Sequence, residues 1–124
     1  METGILGKEY HAGDVIIRHG DIGDCMFVIQ QGRVEAIQEK EGKEIQLAIL
    51  ETGDVFGEMA LFNKAPRSAT IRAIDEVRVL TIDKKTFLQR MHEDPSLVFR
   101  ILQKMSNRIR EMDDELVRMK AQQD

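Results

Sequence analysis

Between Val15 and Ile82 the apolar residues come in short runs, separated by Gly-Asp pairs at 13–14, 20–21, 23–24 and 53–54. Glycine accepts positive φ and aspartate bonds to neighbouring amides, so each pair marks a turn. Met26-Phe27-Val28-Ile29, Val34-Glu35-Ala36-Ile37 and Ile45-Gln46-Leu47-Ala48-Ile49 have strand length and partial period-two alternation. Ser68 to Ala73 and Val77 to Ile82 flank Ile74-Asp75-Glu76 and predict a last hairpin, while the charged stretch from Glu39 to Glu44 predicts an exposed hairpin tip. Several short strands at regular spacing predict a sandwich or barrel.

After Ile82 helical signals take over. Lys84 to Met91 predicts a short helix with Phe87 and Leu88 toward the core, and Asp94-Pro95 supplies a cap and first residue for the next helix. From Pro95 to Lys120 there is no further glycine or proline, giving about 26 residues and roughly 39 Å of helix. Val98, Leu102, Met105, Ile109, Met112, Leu116 and Met119 follow one another at alternating spacings of four and three, the pattern of a coiled-coil seam. With Leu102, Ile109 and Leu116 at a, a parallel pair sets Arg108 against Asp113 of a second copy and Glu115 against its Lys120. Exposed charge pairs contribute little, so the apolar stripe carries the affinity. The competing reading packs the stripe on the strand body, which accounts for Val98 to Met105. The expectation is a parallel homodimer, with residues 1–93 forming the strand body and short helix and 94–124 a lid and dimerisation helix.

Composition narrows the function. At 124 residues the chain fits one core, with no room for a second module. Acidic side chains outnumber basic ones by 22 to 18, for a formal charge of -4, which disfavours binding to a nucleic-acid backbone. Cys25 is the single cysteine, so no internal disulfide and no cysteine-based metal cluster form, and a cytoplasmic location is expected. No apolar run is long enough to enter a membrane, and the start lacks the pattern of a secretion signal. His11, His19 and His92 are dispersed, without an H-E-x-x-H arrangement, and Cys25 has no recognisable basic partner and reads as packing. No catalytic residue, metal or cofactor is expected.

The candidate chemistry lies in FGEMALFNKAPRSATIRA, from Phe56 to Ala73. Gly57 permits close backbone approach where Glu58-Met59-Ala60-Leu61 predicts a helical turn, whose free amides can hold an anion. Pro66 biases Ala65 toward extended backbone and aims Arg67. If the two segments converge, Arg67 donates a charged fork to a phosphodiester, Ser68 adds a hydroxyl or amide, and Glu58 accepts from a sugar 2′-hydroxyl. The alternatives are an Arg67–Glu58 structural pair, a turn hydroxyl at Ser68, and close strand packing for Ala60, Ala69 and Ala73.

This run closely resembles the phosphate-binding cassette of cyclic nucleotide-binding domains, approximately F-G-E-[LIM]-A-L, a spacer, then P-R-[ASTX]-A-T-[VI]. The upstream AGDVIIRHGDIGDCMFVIQQGRVEAI is similar to the opening strands of that family, catabolite activator-like domains included. The resemblance implies a mostly β fold with flanking α-helices: an eight-stranded jelly-roll β-barrel followed by a long C-terminal helix. It implies a noncatalytic sensor of cAMP or cGMP, with Arg67 on the cyclic phosphate and Glu58 on the ribose 2′-hydroxyl. Gly57, Met59, Ala60, Ser68 and Ala69 complete that shell, and the C-terminal helix closes over the base and transmits the bound state. Two departures bear on the base. Met112-Asp113 stands where bacterial catabolite-activator relatives present Thr-Ser toward adenine, and Ser68 stands where threonine commonly marks cGMP-selective relatives. cAMP is favoured over cGMP. The alternatives are a cGMP sensor and a structural dimerisation module with a degenerate pocket, which leaves Gly57, Glu58 and Arg67 without a shared purpose.

Overall fold

The computed structural model describes residues 7–58, 60 and 64–122. Its strands are β1 (Lys8–Tyr10), β2 (Val15–Ile17), β3 (Ile22–Gly23), β4 (Cys25–Gln31), β5 (Arg33–Lys40), β6 (Lys43–Glu51), β7 (Val55–Phe56), β8 (Ala65–Pro66), β9 (Thr70–Ala73) and β10 (Val77–Asp83). Helices α1 (Lys84–Glu93) and α2 (Pro95–Gln122) follow. One four-stranded sheet has the order β1-β10-β4-β7, a second β2-β9-β5-β6, and β3 pairs with β8. All pairings are antiparallel.

The continuous apolar run Met26-Phe27-Val28-Ile29 has a physical reason: β4 is covered on both faces. Phe27 and Ile29 join Val77 and Val79 of β10 in the core between the sheets, with Val34, Leu50 and Ile71 opposite. Met26, Val28, Leu80 and Ile82 face the other way and meet Phe87, Ile101 and Met105 of the helices. The outer face of the second sheet has no such cover, and Ile45, Leu47 and Ile49 of β6 are exposed. Each fully buried Ile or Val contributes roughly 1.5 to 3 kcal/mol, so the inner core joins the two sheets and the outer one fixes the helices against the first sheet.

Several expectations are corrected in detail. The β5–β6 strands run to Lys40 and from Lys43, leaving only Glu41 and Gly42 as the tip. Both take positive φ, 54° and 78°, which matches the twist of a two-residue hairpin. The strand expected from Ser68 begins at Thr70, and β1, β3, β7 and β8 are too short to stand out as apolar runs. Helix α1 runs to Glu93, capped by Asp83, whose carboxylate accepts from the Thr86 amide at 2.7 Å. Phe87 packs as expected, whereas Leu88 is 48% exposed. Asp94 closes α1, its amide donating to the Arg90 carbonyl at 2.8 Å, and its carboxylate accepts from the Ser96 hydroxyl.

Helix α2 docks by its first half only. Ile101 is buried and Met105 half-buried on the Met26–Val55–Ile82 cluster, so Met105 packs within its own chain rather than on an open seam. Arg108 is also engaged internally: Nη1 donates to the Val55 carbonyl at 3.2 Å and Nη2 lies 4.0 Å from Asp54, beside Lys104 at 3.5 Å. It is therefore not free to meet Asp113 of a second copy. From Ile109 to Gln122 every residue is exposed, including Ile109, Met112, Leu116 and Met119. About 14 residues, roughly 21 Å of helix, thus project from the body with an apolar stripe. Among the described residues no helix is long and apolar enough to cross a membrane.

Candidate functional site

Strand β7 ends at Phe56, and Gly57 turns the chain with φ of 75°. A Cβ at Gly57 would lie 2.6 Å from Nη1 of Arg67, so both conformation and close approach require glycine here. The Ala60 amide donates to the Gly57 carbonyl at 3.2 Å, and Ala60 is buried. Met59 lies outside the described residues, as do 61–63.

Arg67 comes to Gly57 from the far side, carried by β8. Its amide donates to the Asp21 carbonyl at 2.7 Å, and its own carbonyl accepts from the Gly20 amide at 2.8 Å, continuing the β3–β8 pairing. The side chain is then aimed by two carbonyls: Nη1 donates to Gly57 at 3.1 Å and Nη2 to Cys25 at 2.9 Å. The Cys25 sulfur is 3.8 Å from Nη2, so the cysteine does have a basic neighbour, contrary to the expectation from its flanking sequence. The guanidinium carbon stands 5.6 Å from the ring centroid of Phe27, which stacks on Phe56 with centroids 5.0 Å apart.

No carboxylate pairs with Arg67 among the described residues. Arg33, Arg72, Arg78 and Arg108 all lie within ion-pair distance of one. Arginine stays ionised and carries five N–H donors. Carbonyl dipoles orient this guanidinium without cancelling its charge, and Nε–H together with one Nη1–H has no partner among the described residues. A half-buried guanidinium, held in place with its charge uncancelled, is suited to an anion.

The other sequence-selected residues fall around it unequally. Glu58 follows Gly57 directly, is half-buried, and forms no ion pair with Arg67 among the described residues. The structural pairing of those two side chains is therefore not what holds the site. Ser68 is exposed and Ala69 half-buried; the Ser68 carbonyl accepts from Gln38 Nε2 at 2.6 Å, which ties the bend to β5. Ala73 is 2% exposed in the core between the sheets, opposite Val34, so its small size serves packing. A recess of about 250 Å³ is lined by Val15–Arg18, Asp21, Phe27 and Arg67. Another, of about 310 Å³, lies between β6 and Lys104, Asn107, Arg108 and Glu111 of α2. Met112 and Asp113 are exposed and line neither.

Sequence reasoning missed Gly20, Asp21, Gly23, Cys25 and Phe27 as the support of Arg67. Gly20-Asp21 and Gly23-Asp24 carried a turn signal, and nothing in their spacing points to a residue more than forty positions later. Further from the site, Arg72 donates to Glu35 and Glu44 across the second sheet. The Glu35 carboxyl is held below its ordinary pKa by the Gln46 hydrogen bond first and by Arg72 after it.

Comparison with known proteins bears on this geometry. The sequence profile described as "Cyclic nucleotide-binding domain" matches residues 7–94. The cAMP-dependent protein kinase regulatory subunit of Mucor circinelloides f. lusitanicus is 37% identical over 78 residues, 63% of this chain and 18% of that protein. The chain spans about a fifth of the length of such regulatory subunits. The Thermus thermophilus catabolite activator protein superposes with a TM-score of 0.74 at 28% identity, over 91% of this chain and 54% of that one. The regulatory domain of Toxoplasma gondii PKA, co-crystallised with cAMP, superposes with a TM-score of 0.61 at 32% identity, over 66% of this chain and 31% of that one. The profile match, which covers most of the chain and includes the Gly57–Arg67 site, establishes that this chain belongs to the cyclic nucleotide-binding domain family.

Proposed function

We propose that this chain is a noncatalytic cyclic-nucleotide sensor module that binds cAMP. The observation that carries the reading is Arg67: a half-buried guanidinium, oriented by the Gly57 and Cys25 carbonyls and with no carboxylate beside it among the described residues. In this reading its free N–H directions meet the cyclic phosphate, the backbone amides of Gly57, Glu58, Ser68 and Ala69 complete the cup, the Ala60 amide being engaged by the Gly57 carbonyl, and Glu58 accepts from the ribose 2′-hydroxyl. The Ser68 hydroxyl supports a second reading, cGMP, because an added donor or acceptor at that position can meet the guanine edge. A cytoplasmic setting is retained from the single unpaired Cys25.

The fold reading that accompanies this is an eight-stranded jelly roll. With the two-residue strands β3 and β8 set aside, successive strands alternate between the sheets β1-β10-β4-β7 and β2-β9-β5-β6 except at the β5–β6 hairpin, the order of a jelly roll. Residues 1–93 form the nucleotide-binding roll and short helix, and 94–124 the lid and dimerisation helix. Leu102, Ile109, Met112, Leu116 and Met119 supply the seam of a parallel homodimer, and their exposure on α2 supports it. Met112 and Asp113 stand on the projecting half of α2, so a place for them at the base requires α2 to close over the roll or to come from a second copy. The bound state is passed on through the docking of α2, since a ligand shifts a conformational balance only by binding its two states unequally.

Calorimetric titration with cAMP, cGMP and 5′-AMP tests the assignment. Saturable binding of cAMP with much weaker 5′-AMP binding is expected, and the absence of saturable binding by either cyclic nucleotide overturns it.

A further inference from the structure

We propose that Gly23 is the positioning residue of the Arg67 guanidinium: its bare Cα is the wall the guanidinium rests on, and a side chain there displaces it. The inference rests on Arg67 being the anion-binding group. Gly23 is buried and paired with Ala65 across β3 and β8. Unlike Gly20 and Gly57, it does not have positive φ, so its backbone is one that other residues adopt freely. What requires glycine is space. A Cβ built on Gly23 collides with Cζ, Nε and Nη2 of Arg67, and these are its three nearest atoms. At Gly20 the same construction meets nothing.

The remainder of this short segment holds the same arginine. The Gly20 amide and Asp21 carbonyl pin its backbone, and the Cys25 carbonyl receives Nη2 at 2.9 Å. Residues 20–25 therefore form a socket, with backbone clamps at one end, a carbonyl at the other and a flat floor at Gly23. Hydrogen bonds weaken steeply as they bend. A methyl or isopropyl group on the floor lifts the planar guanidinium and turns its fork away from the direction set by Gly57 and Cys25.

The experiment is a double-mutant cycle, Gly23→Val with and without Arg67→Ala, read by cAMP affinity and by thermal unfolding without nucleotide. With Arg67 present, Gly23→Val is expected to weaken cAMP binding about thirtyfold or more, and Gly23→Ala less. With Arg67→Ala, the same substitution should change affinity by less than about twofold, since no guanidinium remains to misplace. Unfolding should show the same coupling: Gly23→Val lowers Tm more when Arg67 is present than when Arg67→Ala leaves the volume open. Equal losses in the two backgrounds, or unchanged affinity of Gly23→Val, overturn the inference. If the unmutated chain binds no cyclic nucleotide, the proposed function fails on its own, and the unfolding cycle still decides whether Gly23 sets the guanidinium. Should Gly23→Val not fold, Gly23→Ala carries the same cycle.

Discussion

Arg67→Ala removes the guanidinium that the proposed function sets against the cyclic phosphate, with Nε–H and one Nη1–H unpartnered among the described residues. Charge-assisted hydrogen bonds contribute about 1.5 to 3 kcal/mol each, and truncating one partner of such a contact costs about 2 to 5 kcal/mol. The expected loss in cAMP affinity therefore exceeds about 2 kcal/mol, or roughly thirtyfold in Kd. The fold should survive. The Gly57 carbonyl keeps the Ala60 amide as donor, whereas the Cys25 carbonyl loses its side-chain donor. At roughly 1 to 2 kcal/mol of lost stability, Tm should fall by about 4 to 8 °C, given an unfolding entropy near 0.26 kcal/mol/K for a chain of this length. Arg67→Lys keeps the charge but not the fork and should bind with intermediate affinity. The assay is calorimetry on each variant, with circular dichroism to confirm folding. Parent-like affinity in folded Arg67→Ala would refute the role assigned to the guanidinium.

Asp54→Ala removes the carboxylate facing Lys104 and Arg108, and should speed amide exchange in residues 98–108 of α2; unchanged exchange would show that Ile101 and Met105 suffice to hold the helix. Leu116→Asp should turn a dimer into a monomer in sedimentation, and an unchanged molecular mass would remove α2 as the seam. The exposed pair of His11 and Glu76, 2.7 Å apart, predicts a pH dependence with a definite sign. The hydrogen bond to Glu76, then its charge, raises the His11 pKa above 6.5, so the histidine's contribution is complete below that pH and is lost as pH rises through the raised value. The same bond lowers the Glu76 pKa below 4.5, so its contribution is lost as pH falls through the lowered value. The small stability difference between the parent and His11→Ala should therefore shrink on going from about pH 6 to about pH 9, and a difference that grows would contradict it.

The motif from Phe56 to Ala73, the turn pairs and the heptad spacing determined a great deal without coordinates: a strand-rich body, a long terminal helix, and the choice of Arg67 as the residue on which the proposed site turns. These are local properties, written in the φ preferences of glycine, the period of apolar side chains and the order of residues in one short run. Tertiary structure decided which faces were covered. The spacing of Met105 and Ile109 is the same on the seam, yet the roll buries much of the first and leaves the second exposed, because α2 outruns the sheet it rests on. It also decided what holds Arg67. The Asp21 and Cys25 carbonyls and the floor at Gly23 reach it only because β3 pairs with β8, and a hydrogen bond between residues 42 positions apart leaves no period in the sequence from which it can be read.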